Sequence, residues 1–125
     1  VLSPLYGAVY NSEKDMYEFL TRIGSGFTDE MLINLTEELR QYELTQKPSN
    51  VICSDEPEVW VVPKIVIEIM GDELTVSNKA DAGANLFGQD GYGLRFPVFQ
   101  RRRKDKNPQQ ITTTQEIIEL YKNQG

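Results

Sequence analysis

The chain has 125 residues, a length that fits one domain, and 39% of them are hydrophobic, which is ordinary for a globular protein. It contains no histidine and a single cysteine, so the sequence excludes nucleophile activation by histidine, an intrachain disulfide and a cysteine-rich zinc site. The formal net charge is −6, and no apolar run reaches the ~20 residues that span a membrane.

The first two elements are predicted to be strands. Residues 5–10 (LYGAVY) read as a short strand, and residues 15–23 (DMYEFLTRI) alternate in the period-2 pattern of a half-buried strand. In that pattern Tyr17, Phe19 and Ile23 share the apolar face, while Glu18 and Arg22 share the other face. We expect the two strands to form a hairpin.

A helix is predicted next. Thr28 is a suitable N-cap, and an apolar stripe at helical spacing follows it, made of Met31, Leu32, Leu35, Leu39 and Tyr42. The Gly24–Ser25–Gly26 stretch before it fits a tight strand-to-helix turn at least as well as a backbone approach to a phosphate.

The second half of the chain again predicts strands. They are residues 59–62, 64–70, 71–77 and, after a loop over 79–93, residues 92–99. Trp60 is expected in the core, and Glu68 and Asp72 are expected to be structural carboxylates and not metal ligands.

The chain closes with a predicted helix. Thr113 and Glu116 form a capping box, and Ile117, Ile118 and Tyr121 lie on the apolar side of the residues that follow it.

Short strands with one helix among them and one after them predict a mainly β fold. The natural candidate is a five-stranded Greek-key barrel of the oligonucleotide-binding (OB) type, with one inserted helix and a C-terminal helix. Periodicity alone leaves a sandwich or a generic α+β sheet open. We expect residues 1–125 to form a single domain. Because Val1 leads into a strand without an initiator methionine, we also expect the chain to be a fragment of a longer protein.

Positive charge is concentrated in residues 95–106, the basic segment. Against the single acid Asp105 it holds six basic residues, which are Arg95, Arg101, Arg102, Arg103, Lys104 and Lys106. Such a cluster can bind nucleic-acid phosphates, hold a pyrophosphate or form a solvated turn. If the last strand runs through residue 103, Arg95, Arg101 and Arg103 form an anion track on one face, opposite Leu94, Phe96 and Val98. Asp105 is placed to fix one of the cations.

The segment resembles motif VI of ATP-dependent DNA ligases, whose R-x-D-K core stands here at residues 103–106 after LRFP at residues 94–97. RIGSGFTDEML (residues 22–32) resembles the family's turn into a helix. EVWVVPKIVIEIMGDELTVS (residues 58–77) resembles its strand pair with an acidic turn. Archaeal replicative-type enzymes look most similar.

The resemblance implies the OB domain of such a ligase, assisting lysine adenylation and the sealing of nicked DNA. The family's K-x-D-G motif does not occur in the chain, so the adenylated lysine is expected on a nucleotidyltransferase domain upstream, and this chain alone is expected to be inactive. ATP is the implied cofactor, with Mg²⁺ held mainly by the missing domain. The implied partners are nicked double-stranded DNA and the enzyme's own nucleotidyltransferase and DNA-binding domains. No membrane association is implied, and a monomer in the archaeal cytoplasm, or in the nucleus if eukaryotic, is expected.

The resemblance also implies residue roles. Arg103 and Lys106 are expected to bind the nucleotide and neutralise the leaving pyrophosphate, and Asp105 completes this catalytic group as an orienting partner. The predicted DNA contacts are Arg95, Phe96, Arg101, Arg102 and Lys104. Alternation would bury Phe96 in the core, but Pro97 disrupts the strand, so we favour packing of Phe96 on a sugar in the minor groove.

Two alternatives remain. A stand-alone single-strand-binding OB module would place two or three aromatic residues on an exposed strand face, whereas the aromatic residues here are scattered over apparent core positions. The OB domain of an RNA-capping guanylyltransferase shares the R-x-D-K core but lacks the threonine-rich helix that follows it here.

Overall fold

A computed structural model describes residues 4–77, 80–84 and 90–124. Within them the chain is mainly β with two helices, as predicted. The elements are Leu5–Asn11 (β1), Met16–Ile23 (β2), Asp29–Arg40 (α1), Glu43–Leu44 (β3), Val51–Ile52 (β4), Trp60–Val61 (β5), Ile67–Met70 (β6), Glu73–Ser77 (β7), Gly91–Arg95 (β8), Val98–Arg102 (β9) and Thr114–Asn123 (α2). No helix among the described residues has the length and apolar character needed to cross a membrane.

The strands of the described residues form four small sheets. β1 and β2 make the predicted hairpin, and β4 joins β2 in parallel. The other sheets are the antiparallel pairs β3–β5, β6–β9 and β7–β8. The mainly β class is confirmed, whereas closure into a five-stranded OB barrel stays a prediction.

Hydrogen bonds outside the strand ladders join these sheets. The Thr21 hydroxyl on β2 donates to the carbonyl of Leu94 on β8 at 2.9 Å. The amide of Phe99 on β9 donates to the Ser25 carbonyl at 2.8 Å, immediately after β2. β2 and the residues that follow it therefore contact both β8 and β9, the strands that carry Arg95, Arg101 and Arg102.

Apolar side chains fill two clusters. One is built around β2, β7, β8 and α2 and contains Val9, Leu20, Leu74, Ala82, Tyr92 and Ile117. In the other, Ile23, Leu35 and Phe99 are buried, and Phe27 stacks on Phe99 with ring centroids 4.4 Å apart. This second cluster fixes α1 against β9, because Leu35 is the fully buried position of the helix.

The predicted N-terminal ends of both helices are confirmed, whereas the prediction that Tyr42 continues the stripe of α1 is wrong, because the helix ends at Arg40. The Thr28 hydroxyl accepts from the Met31 amide, and Thr113 and Glu116 form a reciprocal capping box ahead of α2. The predicted stripe of α1 is buried at Leu35 but exposed at Met31, which lies in the first turn, at the edge of the packed face. Trp60 is half-buried on the two-residue strand β5 and not in either core cluster.

The prediction that Glu18 lies on a polar face is wrong. Its side chain is 1% exposed, because residues 80–84 and the start of α2 cover that face of β2. One carboxylate oxygen accepts from the amide of Gly83 at 3.1 Å and from the hydroxyl of Thr114 at 2.7 Å. Both donors make burial of the carboxylate tolerable.

The prediction of one continuous strand over residues 92–99 is also wrong. β8 ends at Arg95 and β9 begins at Val98, and between them Phe96 adopts a left-handed backbone with φ of 52°. Pro97 supplies no amide for a ladder hydrogen bond. The predicted loop over 79–93 is contradicted at its end, where Gly91 starts β8; residues 79 and 85–89 of it lie outside the described residues.

Candidate functional site

The break at Phe96 divides the basic segment into two parts. Arg95 ends β8, which pairs with β7, whereas Arg101 and Arg102 end β9, which pairs with β6. The predicted anion track of Arg95, Arg101 and Arg103 on one strand face is therefore wrong, because no single strand carries all three residues. Two separate groups of side chains replace the track.

The first group is centred on Arg103. Its Nε and Nη2 donate to the two carboxylate oxygens of Asp105 at 2.9 and 2.8 Å, a bidentate pair. Its Nη1 donates to Glu68 Oε1 at 2.9 Å, and its backbone amide donates to the Val66 carbonyl at 2.8 Å. The expected ion pair between Asp105 and a neighbouring cation is thus confirmed, and its partner is Arg103.

Both members of this pair are held in their charged forms. Hydrogen bonds to Asp105 and Glu68 raise the pKa of the Arg103 guanidinium above its ordinary value. The same pair, with the nearby charge of Lys106, lowers the pKa of Asp105 below the ordinary range of a carboxyl group. At neutral pH, Arg103 is a fixed cation with a fixed orientation.

We expect the Asp105 carboxyl to titrate below the ordinary aspartate value of about 3.9. A folded-state pKa below the unfolded value means that the pair contributes its full stability above that value and loses it as the pH falls through the folded pKa. Carbon-detected NMR titration of the side chain measures this. Arg103→Gln should return the midpoint toward 3.9, and an unchanged midpoint would contradict the pairing.

The neighbouring arginines also have carboxylate partners. Arg101 Nη2 lies 3.3 Å from Glu68 Oε2, and the Arg101 side chain is 67% exposed. Arg102 turns the other way: its guanidinium contacts Glu38 on α1 at 3.1 Å and donates to the Arg103 carbonyl at 2.9 Å. Arg102 therefore ties α1 to β9, and its predicted contact with DNA stays a prediction.

Lys104 and Lys106 are exposed at the turn after β9, and neither forms an ion pair within residues 4–77, 80–84 and 90–124. Lys106 still acts on Asp105 through its charge. These two ammonium groups are free to meet an anion without breaking an internal contact.

The second group surrounds Phe96. The Phe96 side chain is 66% exposed, and the Arg95 guanidinium lies 4.9 Å from the centroid of its ring. Arg95 also pairs with Glu73 at 2.6 Å. Met70 is 63% exposed and is the cross-strand partner of Val98, so an apolar surface continues beside Phe96.

Met70 and Val98 were not among the predicted site residues. The alternation in β6 carries a signal for Met70, because Ile67 and Ile69 pack into the second core cluster and leave the intervening positions facing outward. No local pattern identifies Val98, whose exposure depends on the turn at Phe96. Together the three residues form the apolar flank: Met70, Phe96 and Val98.

The described residues do not fit a metal ion. They contain no group of three aspartate, glutamate, histidine or cysteine side chains arranged to hold one. Both oxygens of Glu68 contact arginines, so a metal ion at this carboxylate would have to compete with two guanidiniums. Any Mg²⁺ that the family's reaction uses would need ligands from elsewhere.

Cys53 has no catalytic setting. Its thiol is half-buried and donates to the Asp55 carbonyl, and burial raises the pKa of the thiol above its ordinary value. A raised pKa lowers the thiolate fraction at neutral pH, so the residue is a poor nucleophile.

A cavity of about 950 Å³ lies among α1, β1 and residues 57–69. Its lining is mostly aliphatic and aromatic, with Arg103 and Lys106 among the few cationic residues that reach it. Burying phosphate charge against apolar groups is costly, so the apolar part of the cavity does not suit a phosphate group.

Comparison with known proteins identifies the class. Residues 1–106 match the family described as the ATP-dependent DNA ligase C-terminal region, and the chain belongs to this family. The match includes β1 through β9 and the whole basic segment; α2 lies beyond it.

Archaeal DNA ligases are among the similar proteins. The DNA ligase of Thermoplasma volcanium is 41% identical over 98% of this chain and 22% of its own length. That of Staphylothermus marinus is 41% identical over 95% of this chain and 21% of its own length, and that of Aeropyrum pernix is 40% identical over 98% and 21%. The chain spans about a fifth of the length of these curated relatives.

Family membership favours the ligase interpretation over the stand-alone binding module and the capping-enzyme domain. It does not test individual residues. The roles predicted for Arg103, Asp105 and Lys106 at the nucleotide, and for Arg95, Phe96, Arg101, Arg102 and Lys104 at DNA, stay predictions.

Proposed function

We propose that this chain is the OB domain of an ATP-dependent DNA ligase and that it presents two working faces, one to the nucleotide and one to nicked duplex DNA. The observation that carries the proposal is the left-handed turn at Phe96. It separates a cationic group held by carboxylates from an exposed aromatic residue on an apolar flank. One short segment thereby carries two chemistries that suit two steps of ligation.

The nucleotide face consists of Arg103, Asp105 and Lys106. When a lysine attacks the α-phosphate of ATP, negative charge accumulates on the leaving pyrophosphate. A guanidinium that is already oriented stabilises that charge without reorganising at the moment of reaction. Asp105 supplies the orientation through its two hydrogen bonds to Arg103, and the exposed Lys106 adds a second positive charge.

The DNA face consists of Arg95 and the apolar flank. Apolar side chains pack on sugars or wedge between bases in the minor groove, and arginines contact the phosphates beside them. Phe96 is exposed and its ring is backed by the Arg95 guanidinium, so its position is set before DNA arrives. Met70 and Val98 extend the surface along the groove.

The catalytic lysine and the other ligase domains are proposed partners, since K-x-D-G does not occur in the chain. We propose that the domain turns one face to the nucleotide during adenylation and the other to the nick during sealing, since Arg103 follows the end of β9 whereas Arg95 and Phe96 precede its start. We propose that it acts within a monomeric enzyme and that the enzyme's Mg²⁺ is held mainly outside this chain.

Phe96→Ala should separate the two steps. In a Thermoplasma volcanium ligase whose matching segment is replaced by this chain, we expect the variant to seal a pre-adenylated nick about tenfold more slowly, since an aromatic contact contributes about 1–3 kcal/mol. Lysine adenylation should change less than about twofold because Phe96 lies apart from Arg103. Single-turnover assays of each step measure both rates.

Ile33→Ala is the matched control, because Ile33 is also an exposed apolar residue, 57% exposed, but lies on α1. It should leave both steps unchanged. Equal losses in both steps for Phe96→Ala would mean that one surface serves both reactions, and the two-face proposal would have to be abandoned.

A further inference from the structure

The carboxylate of Glu68 lies between two arginines of the basic segment. It is placed on β6 directly opposite Arg101 on β9, and its side chain is 35% exposed. Oε2 lies 3.3 Å from Arg101 Nη2, and Oε1 accepts from Arg103 Nη1 at 2.9 Å. Each oxygen therefore contacts a different guanidinium, the arrangement in which a phosphate bridges two arginines.

The two edges of the Arg103 guanidinium are held unequally. Asp105 occupies Nε and Nη2 through two parallel hydrogen bonds, whereas Glu68 contacts Nη1 through one. A bidentate pair is the stronger of the two, and a single contact between partly exposed groups contributes little, about 0–1 kcal/mol. An incoming phosphate would therefore displace Glu68 first and leave Asp105 in place.

We propose that Glu68 is a positioning residue that stands in for a phosphate between Arg101 and Arg103. It keeps the two guanidiniums apart from solvent anions and correctly spaced, and it withdraws when a phosphate group binds. This inference rests on the proposed function, in which Arg103 meets phosphates. It adds that phosphate affinity is held down by the chain's own carboxylate.

The ion pairs of the basic segment, taken over the described residues, support this proposal. Four arginines of the basic segment each have a carboxylate partner: Glu73 for Arg95, Glu68 for Arg101, Glu38 for Arg102, and Glu68 with Asp105 for Arg103. The cluster of Arg101, Arg103, Glu68 and Asp105 is electrically neutral. These four side chains therefore add no attraction for a distant polyanion to that of the exposed Lys104 and Lys106, and they gain net positive charge only when Glu68 moves away.

The test uses the 125-residue chain and inorganic triphosphate as the probe, without metal, in calorimetric titrations. Glu68→Gln should bind triphosphate about three- to tenfold more tightly than the parent chain, which corresponds to the contacts that the phosphate no longer has to break. Glu68→Asp keeps the charge but is too short to bridge both arginines, so it should also bind more tightly. Thermal unfolding verifies that both variants fold.

Glu119→Gln is the control, since it removes the same charge from an exposed position on α2 and should change the affinity less than about twofold. In an Arg103→Ala background the gain from Glu68→Gln should vanish. The Nε–H resonance of Arg103 should keep its position in Glu68→Gln, because Asp105 retains that edge.

The outcomes separate the two ideas. If Arg103→Ala alone leaves triphosphate binding unchanged, Arg103 does not meet phosphates, and both the proposed nucleotide face and this inference are wrong. If Arg103→Ala weakens binding but Glu68→Gln behaves like Glu119→Gln, only the inference is wrong. A gain from Glu68→Gln that persists without Arg103 would overturn it as well.

Discussion

Arg103→Ala should slow lysine adenylation about 10²- to 10³-fold in the chimeric enzyme, the Thermoplasma volcanium ligase whose matching segment is replaced by this chain. That is the loss typical of removing one preorganised group that stabilises developing negative charge. Arg103 qualifies because its guanidinium is fixed at one edge by Asp105 and its backbone amide is held by the Val66 carbonyl. Labelled ATP and single-turnover quenching measure the rate of adduct formation.

Arg40→Ala is the matched control for this experiment. It removes one guanidinium that is outside the basic segment, in the last turn of α1, and should leave the rate unchanged. The isolated chain should form no adduct with labelled ATP, and Arg103→Ala should slow the sealing of a pre-adenylated nick much less than adenylation. If Arg103→Ala adenylates as fast as Arg40→Ala, Arg103 does not act on the nucleotide.

Gly26→Ala should destabilise the chain by about 3 kcal/mol, the combined scale of a strained left-handed residue and an overpacked contact. Gly26 has a φ of 95°, and a Cβ there would lie 2.3 Å from the Phe99 carbonyl oxygen. The Phe99 backbone cannot easily shift to make room for this Cβ, because its amide donates a hydrogen bond to the Ser25 carbonyl. Urea unfolding followed by circular dichroism measures the change in the free energy of unfolding.

Gly24→Ala provides the comparison two residues away. No atom lies within 4 Å of the position its Cβ would take, so its stability should change by less than about 0.5 kcal/mol. Equal effects of the two substitutions would mean that the turn tolerates side chains throughout. The assignment of the Gly–Ser–Gly stretch as a tight packing turn against β9 would then be wrong.

Local chemistry was enough to predict the hairpin, the two helices and the N-terminal caps of the helices. Thr28 and Thr113 accept from amides of their own first turns, so a few adjacent residues determine both caps. The hairpin follows from alternation over several residues. β3 and β4 have two residues each, too few for any periodic pattern, and they form because partner strands provide hydrogen-bonding edges.

The errors concern properties that distant residues decide. Glu18 is polar in sequence, but Gly83 and Thr114 provide donors that let it be buried. Pro97 indicated a break in the last strand, yet the left-handed turn at Phe96 also depends on how β8 and β9 pair with different strands. The contact of Glu68 with two arginines likewise requires the register between β6 and β9, which no single stretch encodes.

The contacts of α2 show that the folded unit extends beyond the residues that match the family. The family match ends at residue 106, but the buried carboxylate of Glu18 takes a hydrogen bond from Thr114, and the Gln124 side chain bonds both the amide and the carbonyl of Leu74 at 2.7 Å. A polypeptide trimmed to the matched region would keep Glu18 and the Gly83 amide but lose the hydrogen bond from Thr114. Residues 107–124 are therefore part of what a transplantable module must include, and swaps between ligases should be made beyond them.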